Sequence, residues 1–168
     1  MTTSRQQPSA PRTRGWALLG LILLVLLGLL YVLGAANDLR ADSSGGLPVD
    51  HRATFSELTG SSFAHTKDIA PGATRYIILL EQGYAVHELT FAFLFLVLLI
   101  IPFRERQRWA WWAAWTPMIA NLGYTLTFGL HDPTILYRSL IVDIALPVLL
   151  LAHIPAFFPR KNTLNGAP

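Results

Sequence analysis

Four long apolar stretches, separated by polar and charged segments, set the pattern of this chain. They cover residues 16–36, 83–103, 109–129 and 134–157. The first opens with WALLGLILLVLLGLLYVL, an unbroken apolar run close to the roughly 20 residues a helix needs to cross a hydrocarbon core of about 30 Å. A secretory signal peptide is the rival reading of this stretch, because Gly34, Ala35 and Ala36 offer small residues for cleavage, but signal cores are shorter. The expected class is all-α: an integral membrane four-helix bundle with a small extracytoplasmic loop cap. Short connections force spans two, three and four to be neighbours, and span one, with Tyr31 its lone polar residue, is expected at the periphery.

The segments between the spans carry their own signals. Residues 1–15 are polar, contain Arg5, Arg12 and Arg14 without an acid, and predict a disordered tail. Residues 37–82 form a long loop that starts flexibly, at SSGGLP. Within it, Thr54 and Glu57 have the spacing of a capping box, predicting a short helix that begins at Thr54 and stops at Gly60. Pro71 and Gly72 start a second helix, whose early turns project above the lipid before span two begins. Span two ends near Pro102 and the RERQR loop, Leu130 to Pro133 make a tight turn, and residues 158–168 form a second tail with Arg160 and Lys161.

Charge then orients the bundle. Lysine and arginine crowd the first tail, the RERQR loop and the last tail, whereas the turn between spans three and four has neither. Both ends are therefore expected in the cytoplasm of a multi-pass cell-membrane protein. The long loop, whose acids outnumber Arg40, Arg52, Lys67 and Arg75, belongs outside. Trp109, Trp111, Trp112 and Trp115 follow the arginine cluster directly and are expected, with Trp16, to form an interfacial aromatic belt rather than a ligand site.

Composition narrows the chemistry. Of 168 residues 52% are hydrophobic and 14% charged, more apolar surface than a water-soluble domain of this size can hide. The net charge of +3 sits beside apolar segments instead of forming a basic stripe, so no nucleic-acid partner is expected. With no cysteine, disulfides, thiolate nucleophiles and cysteine metal sites are excluded. His51, His65, His87, His131 and His153 show no ExxH or HxxxH spacing, so neither a metal site nor a cofactor is expected.

Polar residues inside the spans carry the functional argument, because ionisable groups in lipid are costly and need partners or water. Glu88 and Arg138 lie about one turn below the outer ends of spans two and four, and are expected to pair. Asn121 and Asp143 also lie level with each other, near the bilayer middle, and are expected to hydrogen-bond. Tyr124 and Thr125 add hydroxyls one turn higher, and His87 stands beside Glu88. The candidate ligand-binding cluster is thus His87, Glu88, Asn121, Tyr124, Arg138 and Asp143, opening outward; no residue is assigned a catalytic role. The same contacts also fit a purely structural network between helices.

The TFSELTG segment from Thr54, the Arg106 to Trp112 run and the polar fourth span resemble a group of uncharacterised bacterial multi-span membrane proteins, and more distantly DoxX-like four-helix membrane proteins. That resemblance implies a helical bundle and no activity. The function expected is a non-enzymatic one: binding a small ligand or a membrane protein partner, in the lipid bilayer, through the outward-facing cluster. An intramembrane enzyme acting on a lipid or isoprenoid and a small-solute transporter working as a homo-oligomer are the alternatives.

Overall fold

The computed structural model describes residues 13–159, all of whose regular structure is helical. The tails expected over residues 1–15 and 158–168 fall mostly outside this range. Helix α1, Thr13–Ser43, is followed by two short helices, α2 (Val49–Thr59) and α3 (Phe63–Ile69). Helix α4, Pro71–Leu98, runs on into a π turn at Leu99–Phe103. Then come α5 (Arg108–Ala113), α6 (Thr116–Thr127), α7 (Pro133–Ala152) and α8 (Ile154–Phe157). Three helices are long and apolar enough to cross a membrane: Gly15–Ser43, Pro71–Phe103 and Pro133–Phe157.

The expected third span, residues 109–129, is not one helix, and a proline lies beside the break. Pro117 has no N–H and its ring crowds the carbonyl of Ala113, which removes a rung of the α-helical ladder, as Pro147 also does inside α7 without ending it. The Thr116 hydroxyl donates to that carbonyl instead, and the chain turns through Ala114 and Trp115 before α6 begins. Pro102 has a milder effect. There the ladder widens by one residue, with Arg104 N–H donating to the Leu99 carbonyl at 3.1 Å.

The loop is more ordered than its composition suggests. Helix α1 does not stop near residue 36 but continues helically through Asp38 and Asp42 to Ser43. Helix α2 starts at Val49 behind Pro48, five residues before the expected capping box, and makes no side-chain cap. Thr54 is therefore buried in mid-helix and its hydroxyl has no partner. Gly60 does end α2, in the left-handed conformation at φ 66°, its N–H bonding the Ser56 carbonyl. Ser62 caps α3 by accepting from the His65 N–H, and Pro71 opens α4 as expected.

Packing forms two pairs. Helix α1 lies along α4, and α6 lies along α7. The close approach in the first pair needs a glycine, since a Cβ on Gly28 would fall 2.6 Å from a methyl of Leu96. Leu24 and Leu27 of α1 are buried against Phe95, Leu99, Leu146 and Leu150, so α1 is part of the core rather than peripheral. Near the opposite end from the loop helices, His153 closes the two pairs together. Its Nδ1 lies 2.7 Å from the Leu149 carbonyl and its Nε2 3.1 Å from that of Ala17.

The tryptophans divide by role. Trp16, Trp109 and Trp112 are exposed, as an interfacial belt requires. Trp111 is not: it is buried in the core, where its indole donates to the Leu150 carbonyl at 2.8 Å. Trp115 is largely covered and packs edge-on against Trp111.

Candidate functional site

Where the two helix pairs diverge, at the end nearer α2, they leave a cavity of about 680 Å³. Its walls come from α1, α4, α6 and α7, and Asp50 of α2 joins the lining. Helices α4 and α6, which face each other across it, scarcely touch. Of the six residues singled out from the sequence, His87, Glu88, Asn121, Tyr124 and Arg138 line this space. Asp143 does not.

Asp143 is instead a buried joint. Its two carboxyl oxygens accept from Asn121 Nδ2 at 2.6 Å and Thr125 Oγ1 at 2.8 Å, which holds α7 to α6. Asn121 Nδ2 also reaches the Ser139 carbonyl at 3.1 Å. The level placement of Asn121 and Asp143 is thus as the helical rise required, while the carboxyl's bonding capacity is spent inside the protein.

Glu88 and Arg138 do not pair: among the described residues the carboxylates close to a basic side chain are Glu81, with His51, and Glu57, with the His131 imidazole. Both line the cavity without meeting. Arg138 is exposed on α7, whereas Glu88 is half-buried on α4 with its Oε2 covered and without a hydrogen-bond partner. His87 is exposed, and its Nδ1 donates locally, to the Gly83 carbonyl at 2.6 Å.

The loop helices contribute what the sequence did not reveal. His51 is 5% exposed, stacks on Phe128 with ring centroids 4.5 Å apart, and meets Glu81 Oε2 at 2.8 Å. Burial works against its protonation, but the Glu81 hydrogen bond and charge, aided by Asp50 and Asp38, prevail and raise its pKa above the usual histidine value. Through this contact α2 is fixed to α4 and α6, and its neighbour Asp50 is placed to accept from the Tyr124 hydroxyl at 2.7 Å. Asp38, on the part of α1 taken for loop, joins the same wall together with Tyr31 and Tyr84. A signal for Asp38 existed: Tyr31, Gly34 and Asp38 follow at helical spacing, so extending α1 by two turns would have found it.

The cavity's chemistry is therefore mixed. Leu27, Leu30, Phe91, Pro117 and Val142 give apolar surface, and three carboxyl groups and one guanidinium give polar ends. Among the described residues no group of three or more histidine and carboxylate side chains is arranged to hold a metal. Comparison with family models, with curated proteins and with solved structures gave no match for this chain, and so nothing from them bears on the likeness to DoxX-like proteins.

Proposed function

We propose that this chain is a four-span integral protein of the cell membrane that binds a small ligand, without transforming it, in the cavity between its helix pairs. In this reading α5 and α6 together make the remaining crossing, kinked at Pro117, which membrane helices tolerate where a side chain satisfies the freed carbonyl. The loop helices α2 and α3 lie outside and both chain ends lie in the cytoplasm, in keeping with the lysine and arginine distribution. Helix α1 is retained as an anchor, because without it the cavity would lose a wall.

One observation carries the proposal. His87, Glu88, Asn121, Tyr124 and Arg138, drawn from three of the apolar stretches, line a single cavity large enough for a small molecule, and among the described residues His87, Glu88 and Arg138 make no hydrogen bond to another helix. Polar glue alone leaves no such space. Asp143 shows the contrast, since both its oxygens are satisfied within the protein.

Native mass spectrometry of the protein in lipid nanodiscs tests this. A small-molecule adduct is expected on the wild type and should vanish in Ala120→Trp, which fills the cavity from α6, while Ile119→Trp on the exposed face of the same helix keeps it. A wild type without adducts, or an adduct that survives Ala120→Trp in a well-folded protein, would contradict the reading.

A further inference from the structure

The charge in the cavity is lopsided, and its polarity changes along its length. Three carboxyl groups (Asp38, Asp50 and Glu88) face one guanidinium, that of Arg138. Arg138 is exposed and forms no ion pair with any of them. Asp50 is partly satisfied by the Tyr124 hydroxyl, but Glu88 keeps one covered oxygen without a partner. Asp42, one turn beyond Asp38 on α1 and outside the cavity lining, is 1% exposed, and both its oxygens lack partners among the described residues. Unpaired buried acids are costly, and a cation that enters between them relieves that cost.

Aromatic rings strengthen the case. Tyr31, Tyr84, Phe91 and Tyr124 all line the same space, and ring faces attract a desolvated cation. From Asp38 down to Leu27 the α1 wall covers 12 residues, about 16 Å from first to last at the helical rise, and the lower part is apolar. The shape is thus a slot with an acidic, aromatic mouth and a greasy foot.

We propose that the cavity takes an amphipathic organic cation, an amine or quaternary ammonium carrying a hydrocarbon tail, with the head between Glu88 and Asp38 and the tail along Leu27, Phe91 and Val142. This rests on the ligand-binding reading and adds the ligand's chemical class. Arg138, exposed and level with Glu88, disfavours cations on its own side and leaves the head beside Glu88. Asp143 makes no contact with the ligand.

The test uses the full chain in uncharged nanodiscs and three probes of equal tail length: octyltrimethylammonium, octyl phosphate and octanol. Binding is read by native mass spectrometry and by protection of a cysteine placed at Tyr84, in a chain that has no other cysteine. The cation should bind one per chain and at least tenfold more tightly than either other probe. Glu88→Gln should weaken it about tenfold, Arg138→Gln should leave it equal or stronger, and Glu57→Gln, outside the cavity, should change nothing. Tighter binding of octyl phosphate, abolished by Arg138→Gln, would overturn the charge assignment while leaving a ligand cavity in place. Failure of all three probes both to bind and to protect would overturn the assignment together with the reading on which it rests. Loss of cation binding in Glu88→Gln counts only if that variant still shields a cysteine at Leu146 from labelling, a core position buried in the intact fold.

Discussion

Asp143 offers the sharpest separation of structural bonding from ligand binding. It is 8% exposed, and its oxygens receive Asn121 Nδ2 at 2.6 Å and Thr125 Oγ1 at 2.8 Å. Polar contacts between membrane helices average about 0.6 kcal/mol and reach about 1.7 kcal/mol, because the unfolded helices also find partners in the membrane. The Asn121 contact is short and covered, which puts it in the upper part of that range. Two contacts converge on Asp143, so Asp143→Leu should cost about 1–3 kcal/mol, roughly their sum. Asn121→Leu should cost less, about 1 kcal/mol, since Thr125 still serves one carboxyl oxygen. Reversible unfolding in mixed micelles titrated with dodecyl sulfate measures these values for the wild type, both single variants and the double variant. The double-mutant cycle should give a coupling of about 0.5–1 kcal/mol, with ligand occupancy in the cavity unchanged by Asp143→Leu at concentrations where the protein is folded. A coupling below about 0.3 kcal/mol, or loss of ligand without loss of stability, would refute the assignment of Asp143 to the α6–α7 joint.

Other outcomes follow from the same packing. A Cβ at Gly20 would lie 2.5 Å from the His153 ring, which two carbonyls hold in place, so Gly20→Ala should lower stability by about 1–3 kcal/mol in the same titration, whereas Gly15→Ala, facing open space, should not. Trp111→Phe removes the indole bond to the Leu150 carbonyl while keeping an aromatic ring, and should cost about 1 kcal/mol; Trp112→Phe, on the exposed side, should be neutral. The raised pKa of His51 means that its pairing with Glu81 contributes fully below the usual histidine value of about 6.5 and is lost as pH climbs through the higher folded value. Proteolysis of α2 and α3 should therefore accelerate as pH rises through that window, and His51→Gln should make it fast and independent of pH.

The long helices were legible in the sequence wherever helix formation depended on apolar length alone. Residues 16–36, 83–103 and 134–157 all lie within long helices. Their polar residues were legible too when height was enough, as for Asn121 and Asp143, whose pairing needs only the rise per residue and adjacent helices. Glu88 and Arg138 are level by the same measure, yet height cannot reveal that the two side chains line one cavity without meeting. The split of the third apolar stretch was less visible, because Pro117 in lipid can kink a helix or break it, and which occurs depends on Thr116 reaching the Ala113 carbonyl. In the loop, a capping-box spacing at Thr54 competed with Pro48 as a helix start, and tertiary contacts of His51 with Phe128 and Glu81 decided for the earlier start. That shift brings Asp50 to the cavity, a placement no local pattern contains.

Single-cysteine labelling in intact cells bears most directly on a cavity lying between helix pairs and reached from outside, since the chain has no cysteine of its own. Cysteines at Arg138 and Tyr84 should react with a membrane-impermeant maleimide added outside, while one at Leu150 in the core should not react from either side. Labelling of the first two only after the cells are opened, or equal labelling at all three sites, would contradict the account.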